Sequence, residues 1–401
     1  MNWHRRCVSR GLSFALLSLL ALAAACEDSN AVTPDVAADG VADTQETSGT
    51  LSISPHGMVE IGLGARPEVV LAGERVFVVY SDFSSAPQKF SVRVYGDKDL
   101  ANEVAYLPID VSSQLTAGMM PTDIRVTTDG TYAYAAFEAL SGPSTVALFV
   151  SKYRMDESFE RVAYTQAIST APIFTSTQPG DELLNDPIIL LGDGSLFVGT
   201  RLQEATSFSQ GAAMRYRFYR FDLDLVQVGA PVDLDLAAVT DAQGGARQAS
   251  AIARPNGFRM LVSSTTAPGD FPQENVTPSD LLLVDLDWNF QVQGSHWLTD
   301  EPANMAAFAT GLQEHNGNTV VTYRFGEPAG NDFAFNVSLQ VHGTDFGLLH
   351  EEVVRQADGP AEELRSSLAV RDDRIYVGLG TGMGPTLDSK AVVYVYEVSG
   401  W

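Results

Sequence analysis

The chain has 401 residues, and its 50 acidic side chains outnumber 25 basic ones, which gives a formal net charge of −25. A surface this negative repels nucleic acid phosphates and anionic lipid headgroups, so both are excluded as partners of the folded part. The chain has only two cysteines, Cys7 and Cys26, too few for cysteine-based zinc or iron–sulfur sites.

The first 25 residues have the composition of an export signal. Arg5, Arg6 and Arg10 make the start basic, and an apolar run follows from Leu12 to Ala25. The run is too short for a transmembrane helix and has the flanks of a signal peptide. Small residues lead from it directly into Cys26.

This arrangement resembles the signal of bacterial lipoproteins, which is cut just before a cysteine that is then acylated. The resemblance implies a signal peptide over residues 1–25, lipid (palmitate) attachment at Cys26 and a membrane contact made through that lipid. It implies the bacterial cell envelope, and Glu27 after the cysteine favours the outer membrane; periplasmic and surface-facing orientations both stay open. An ordinary secretory signal cleaved after Ala25 is the alternative.

Residues 26–50 form the next segment. After the cysteine it is rich in acids and has no base and no aromatic residue. Such a segment cannot bury a core, so we expect a disordered spacer between the lipid and the folded domain.

Residues 51–401 predict an all-β domain built from a repeated unit. In the clearest copy, strand Asp123–Thr127 is followed by an Asp-Gly turn, Thr131–Phe137, Val146–Tyr153 and Glu160–Thr165. Asp-Gly and Asn-Gly pairs suit tight hairpins because glycine tolerates positive φ. Six such units are recognisable, and their second strands begin at Arg75, Thr131, Ser195, Phe258, Thr319 and Arg374.

The repeat resembles a six-bladed β-propeller, in which each four-stranded blade buries its faces only against its neighbours. The sixth unit lacks a fourth strand, so we expect the N-terminal strand, Leu51–Ile53 or Met58–Ile61, to close the last blade beside Ala391–Val398. Two sandwich domains, or five or seven blades, are the alternatives. The third and fourth units predict outer strands at Val226–Val232 and Phe290–Gln293.

No familiar catalytic motif occurs. The chain has no HExxH helix, no Gly-x-Ser-x-Gly elbow and no lysine-bearing phosphate loop. The histidines are scattered, so we expect no metal site and no cofactor; calcium would suit clustered carboxylates, but no calcium motif is present. The glycine-rich stretch from Gly378 to Gly384 joins two strands and is interpreted as a loop.

The propeller resemblance places the starts of the first strands and the ends of the second strands around one mouth of a central channel. Carboxylates from the first units then face arginines from the later ones. They form a candidate ligand site or, alternatively, pair with each other and only keep the mouth polar. The candidate residues are Glu68, Asp82, Asp123, Glu138, Asp186, Arg201, Arg247, Arg324 and Arg365.

Two functions follow from this reading. The first is a lipid-anchored binding or scaffold module, monomeric in its folded domain, for a protein, small-molecule or glycan ligand. The alternative is a hydrolase or lyase that acts on a glycan or carboxylated substrate at the channel mouth, with catalytic residues not assigned. An outer-membrane assembly role is ranked last, because the tryptophan motifs of propellers in that role are absent.

Overall fold

The computed structural model describes residues 50–84, 89–109, 111, 114–115, 119–141, 145–172, 187–202, 215–236, 249–264, 279–299, 306–329, 332–356, 366–381 and 389–401. These residues belong to one compact unit, Ser48–Trp401. The segment predicted to be a signal peptide, Cys26 and nearly all of the predicted spacer lie outside the described residues. Within the described part, no helix is long and apolar enough to span a bilayer.

The described domain is an all-β propeller. Four sheets are antiparallel and four-stranded, with their strands in chain order from one edge to the other. The second unit is the sheet of β5 (Met119–Thr128), β6 (Tyr132–Ser141), β7 (Thr145–Arg154) and β8 (Arg161–Pro172), and the third unit is the sheet of β9 (Ile188–Gly192), β10 (Ser195–Leu202), β11 (Arg215–Phe221) and β12 (Val232–Asp235). The fourth unit is the sheet of β13 (Ala249–Arg254), β14 (Gly257–Ser264), β15 (Asp280–Asp287) and β16 (Val292–Trp297). The fifth unit is the sheet of β17 (Ala306–His315), β18 (Asn318–Ala329), β19 (Asp332–His342) and β20 (Leu348–Arg355).

The remaining strands form one sheet of seven, in the order β21-β22-β23-β1-β2-β3-β4. Its strands are β1 (Ser52–Ala72), β2 (Arg75–Asp82), β3 (Lys89–Tyr95), β4 (Glu103–Ile109), β21 (Ser366–Arg371), β22 (Arg374–Thr381) and β23 (Lys390–Ser399). The expectation of six separate sheets is therefore not met: four separate sheets are present, and the first and last units share the fifth. The reason is β1, a strand of 21 residues that runs without interruption from the expected closing strand into the first unit.

Each half of β1 has a different partner. Its first half pairs with β23, from Ser52↔Ser399 to Leu63↔Lys390. Its second half pairs with β2, from Gly64↔Asp82 to Ala72↔Arg75. Tyr80 packs against Gly62 and Gly64 at the change of partner, and a Cβ on Gly64 would meet the backbone of Ser81 at 2.1 Å.

The core lies between the faces of neighbouring sheets rather than inside any one of them. Phe90, Phe137 and Phe149 fill the interface between the first unit and the β5–β8 sheet, with ring centroids 5.3–5.5 Å apart. A further cluster, which includes Val78 and Val393, joins strands from both halves of the seven-stranded sheet. The chain is therefore held together by sheet-to-sheet burial.

The turns between third and fourth strands share a repeated backbone feature. Each places a large apolar residue in the left-handed region, with φ from 42° to 65°. In four of the turns, the residue three positions before this apolar residue is an aspartate. The carboxylate of that aspartate accepts a hydrogen bond from the backbone N–H of the residue two positions after the aspartate. In the fifth turn, the place of the aspartate is taken by Gly343. The apolar residues are Leu100, Phe159, Leu225, Phe290 and Phe346.

These residues pack against the preceding unit. Phe159 lies 5.9 Å from Phe77 of the first unit, and Phe290 lies 5.1 Å from Phe218 of the third, measured between ring centroids. Two of these turns are longer than the sequence predicts, so the outer strands that follow them begin later in the chain than predicted. The third unit ends in Val232–Asp235 rather than Val226–Val232, and the fourth in Val292–Trp297 rather than Phe290–Gln293.

Candidate functional site

A cavity of about 360 Å³ runs along the innermost strands. It is lined in ring order by β1, β5, β9, β13, β17 and β21. Because the inner edge of each of these strands has no neighbouring strand, backbone polar groups contribute to the wall. Among the described lining residues, the charged side chains are Glu68 on β1 and Arg125 on β5.

Two ion pairs lie side by side between β1 and β5, next to this cavity. Arg125 Nη1 donates a hydrogen bond to Glu68 Oε1 at 2.6 Å, and Arg66 Nη1 donates one to Asp123 Oδ1. Both pairs are separated by 57 residues, and the order of charge is reversed between the two strands. We call Arg66, Glu68, Asp123 and Arg125 the mouth cluster.

Backbone irregularities position half of the mouth cluster. The β1–β2 register shifts between Ala65 and Glu68, and the β5–β6 register shifts between Pro121 and Ile124. Arg66 and Asp123 thus occupy equivalent bulges on adjacent strands, and Arg66 is held at a φ of 54°. Bulges re-aim side chains and are common beside functional sites.

The cluster is largely removed from solvent. The side chains of Glu68 and Asp123 are 12% and 14% exposed, and those of Arg125 and Arg66 are 16% and 23% exposed. Burial raises the pKa of Glu68, and the charge of Asp123 adds to that rise, although Arg125 opposes it. A carboxyl with a raised pKa that lies beside a second carboxylate has the electrostatic character of a proton donor.

The structure thus brings two of the candidate carboxylates, Glu68 and Asp123, together. Their guanidinium partners come from the first two units, and not from the later units as expected. Sequence reasoning missed Arg66 and Arg125. The available indication is the spacing: Arg66-Pro67-Glu68 recurs 57 residues later as Asp123-Ile124-Arg125, with the charges exchanged.

Asp82 lies away from the cavity lining, at the end of β2. It is buried and accepts hydrogen bonds from Ser91 Oγ and Tyr106 OH at 2.6 Å each and from Ser84 N at 2.8 Å. Burial alone raises its pKa, but these hydrogen bonds outweigh burial and hold the pKa below its ordinary value. The residue therefore ties β2, β3 and β4 together.

Of the remaining six candidates, Glu138 and Arg324 have described side chains. Glu138 is buried on β6. Arg324 on β18 lies against two rings, with its guanidinium carbon 5.4 Å from the Phe308 centroid and 5.0 Å from that of Phe335. Arg201 is part of β10, and its side chain is not described. Asp186, Arg247 and Arg365 lie outside the described residues.

Within the described part of the chain, no group of three histidine, cysteine, aspartate or glutamate side chains is placed to hold a metal ion.

No protein-family model matches the chain. No curated protein matches it either. Among solved structures, it is similar to the α-L-arabinofuranosidase Arb93A from Fusarium graminearum, with a TM-score of 0.51 and 11% identity over 85% of this chain and 97% of that one. It is also similar to the endosialidase of phage phi92, with a TM-score of 0.53 and 6% identity over 86% of this chain and 69% of that one. At these identities the likeness shows the propeller fold.

Proposed function

We propose that this protein is a glycoside hydrolase whose active site is the cavity end at the mouth cluster. The observation that carries the proposal is the pair of carboxylates on adjacent inner strands, of which Glu68 lines the cavity and has a raised pKa. Hydrolysis of a glycosidic bond needs one carboxylic acid to protonate the leaving oxygen and a second, ionised carboxylate at the sugar. The names of both solved neighbours, an arabinofuranosidase and an endosialidase, support a glycan as substrate.

In this proposal Glu68 is a carboxylate paired with Arg125 in the free protein, and its raised pKa lets it take up a proton and deliver it to the leaving oxygen, whereas Asp123 stays ionised. The guanidinium of Arg66 stabilises the charge on Asp123, because the two form a largely buried ion pair. Arg125 fixes the orientation of Glu68 through the 2.6 Å hydrogen bond. The two carboxyls thus differ in environment, which is how one site holds an acid and a base at the same pH.

The propeller in this proposal has six blades. The seven-stranded sheet then counts as two blades joined through β1, with the first half of β1 as the outer strand beside β23. Six inner strands around the cavity support this count, as does the apolar cluster between the two halves of that sheet.

A binding module is the second candidate function. It is favoured by the pairing of both carboxylates of the mouth cluster with guanidinium groups, which leaves the cluster without net charge. In that case the cavity binds a ligand and catalyses no reaction.

The test is hydrolysis of a panel of aryl glycosides and plant and bacterial polysaccharides by the purified protein. Glu68→Gln and Asp123→Asn should each lower kcat by about 100-fold or more, the usual cost of losing an acid–base group. Glu60→Gln is the matched control, because Glu60 lies on the same strand but is exposed and pairs with Lys390 at 2.8 Å. Unchanged turnover in both site variants overturns the assignment, and binding without turnover in the wild type favours the binding module.

We further propose that the domain is anchored in the bacterial envelope by lipid on Cys26 and held off the membrane by residues 26–50. The basic and apolar start of the chain supports this. Labelled palmitate should be incorporated into the wild type and not into Cys26→Ser, which should move to the soluble fraction. Equal membrane association of the two proteins would contradict the anchor.

A further inference from the structure

We propose that the mouth cluster selects an uncharged sugar, of about the size of one monosaccharide, and rejects its acidic counterpart. This rests on the proposed function, since it takes the mouth cluster as the glycan site. It goes beyond that function because it names the charge and size of the unit bound.

The first argument is charge balance. The mouth cluster contains two carboxylates and two guanidinium groups, and each is paired across β1 and β5. The charged residues in the described lining, Glu68 and Arg125, also cancel each other. The chain around them has a net charge of −25, so the surrounding potential repels an anion further.

The second argument is the consequence of binding an anion here. A sugar carboxylate that accepts from Nη1 of Arg125 competes with Glu68, whose side chain is 12% exposed. Displacing Glu68 leaves a buried carboxylate without its guanidinium, which is strongly unfavourable. A neutral hydroxyl donates to Glu68 and accepts from Arg125 without separating them, so an uncharged sugar binds without that loss.

The third argument comes from the other side of the cavity. The wall contributed by β13 and β17, which lie across the ring from β1 and β5, includes Ser250, Thr310 and Gln313. These side chains carry no charge. Thr310 is buried and its hydroxyl donates to the Thr322 carbonyl, and Gln313 Nε2 donates to the Leu368 carbonyl, so this wall adds no cation for a sugar carboxylate. Thr310 also sits at a register shift of β17, between Ala309 and Gly311.

The volume sets the size of the ligand. At about 360 Å³ the cavity lies near the lower end of the range for small-molecule sites, roughly 300–1,000 Å³. It therefore suits a single sugar residue and not a long oligosaccharide laid across it.

The experiment compares sugars that differ only at C6. D-galactose with D-galacturonate and D-glucose with D-glucuronate are titrated into the full protein, with affinity followed by ligand-observed NMR. In the pair that binds better, we expect the neutral sugar to bind at least about tenfold more tightly than its acidic counterpart. Glu68→Gln leaves Arg125 without its carboxylate and should raise the affinity for the acidic member at least about tenfold.

Two further variants make the result specific. The charge-swapped double variant E68R/R125E keeps the cluster neutral and should keep the preference for the neutral sugar, and Glu60→Gln should change nothing. Thermal melting of each variant checks that it is folded. The inference is overturned if the wild type binds the acidic sugars as tightly as the neutral ones. It is also overturned if Glu68→Gln leaves the ratio of the affinities for neutral and acidic sugar unchanged.

The two proposals fail in different ways. A neutral preference in binding without turnover of any glycan supports this inference and removes the hydrolase. Turnover of an acidic glycan at the mouth cluster supports the hydrolase and overturns this inference.

Discussion

Replacing Phe290 tests the idea that a left-handed apolar residue in each turn joins one sheet to the preceding one. The ring of Phe290 lies 5.1 Å from that of Phe218, 5.3 Å from Phe258 and 6.1 Å from Phe197. Each aromatic pair contributes about 0.5–1.5 kcal/mol beyond burial. Because Phe290 is only half-buried, we expect Phe290→Ala to lower the free energy of unfolding by about 2–4 kcal/mol, towards the lower part of the range for core phenylalanines.

Backbone conformation adds a second, sharper expectation. Phe290 has a φ of 64°, which costs an L-residue about 1–2 kcal/mol and costs glycine almost nothing. Phe290→Gly should therefore be more stable than Phe290→Ala by about 1 kcal/mol, although it removes more of the side chain. The matched control is Phe258, which is buried at the second position of β14 and does not have a left-handed backbone. There glycine should be less stable than alanine by about 0.5–1 kcal/mol.

The assay is equilibrium unfolding in urea, with the slope m checked for constancy so that midpoints report stability. Two results would refute the reasoning. One is a loss below about 0.5 kcal/mol in Phe290→Ala, which would mean that the ring does not hold the sheets together. The other is the same order of glycine and alanine at Phe290 and Phe258, which would mean that the left-handed conformation carries no cost.

Three further outcomes are expected. Arg259 is 5% exposed and donates two hydrogen bonds to Asp285, at 2.6 and 2.7 Å. Arg259→Gln should therefore lower the free energy of unfolding in urea by about 3–5 kcal/mol, whereas Arg75→Gln, in an exposed ion pair, should lower it by less than about 1 kcal/mol. Similar losses in the two variants would contradict the role of burial. Asp82 has a folded pKa below its ordinary value of 3.8, so it contributes stability above that pH which disappears as pH falls through the folded pKa. Asp82→Asn should make the free energy of unfolding fall less steeply on acidification, and an unchanged pH profile would count against it. A chain that begins at Gly64 loses the partner of β23, so amide exchange in β23 should become much faster, and unchanged protection would argue against the pairing.

Most of the strand plan could be predicted from the sequence because its turns are chemically explicit. Asp129-Gly130 and Asn316-Gly317 mark hairpins, and both glycines have a positive φ, of 85° and 80°. The outer strand of the third unit could not be placed, because Asp222 accepts two backbone N–H groups and lengthens the turn. That stabilisation depends on three-dimensional geometry that local hydrophobic alternation does not encode.

The candidate site, too, could be predicted from the sequence only in part. Strand starts placed Glu68 and Asp123 near each other, because consecutive inner strands lie side by side. Their partners, Arg66 and Arg125, follow from bulges and from the reversed charges in two units. The continuity of β1 was also hidden, since Pro67 and the nearby glycines suggest a turn where the strand only changes partners.

The pairing of β1 with β23 has a consequence for biosynthesis. Glu60 and Lys390 are ion-paired across these strands although 330 residues separate them in sequence. A ribosome completes β1 before any other described strand and β23 after all of them, so the earlier strand must wait, unpaired along one edge, until nearly the whole domain has emerged. Long-range pairing of this kind slows folding and exposes the waiting edge to aggregation. Chaperone protection of the nascent chain is therefore most needed at the residues that the finished fold uses to join its first and last units.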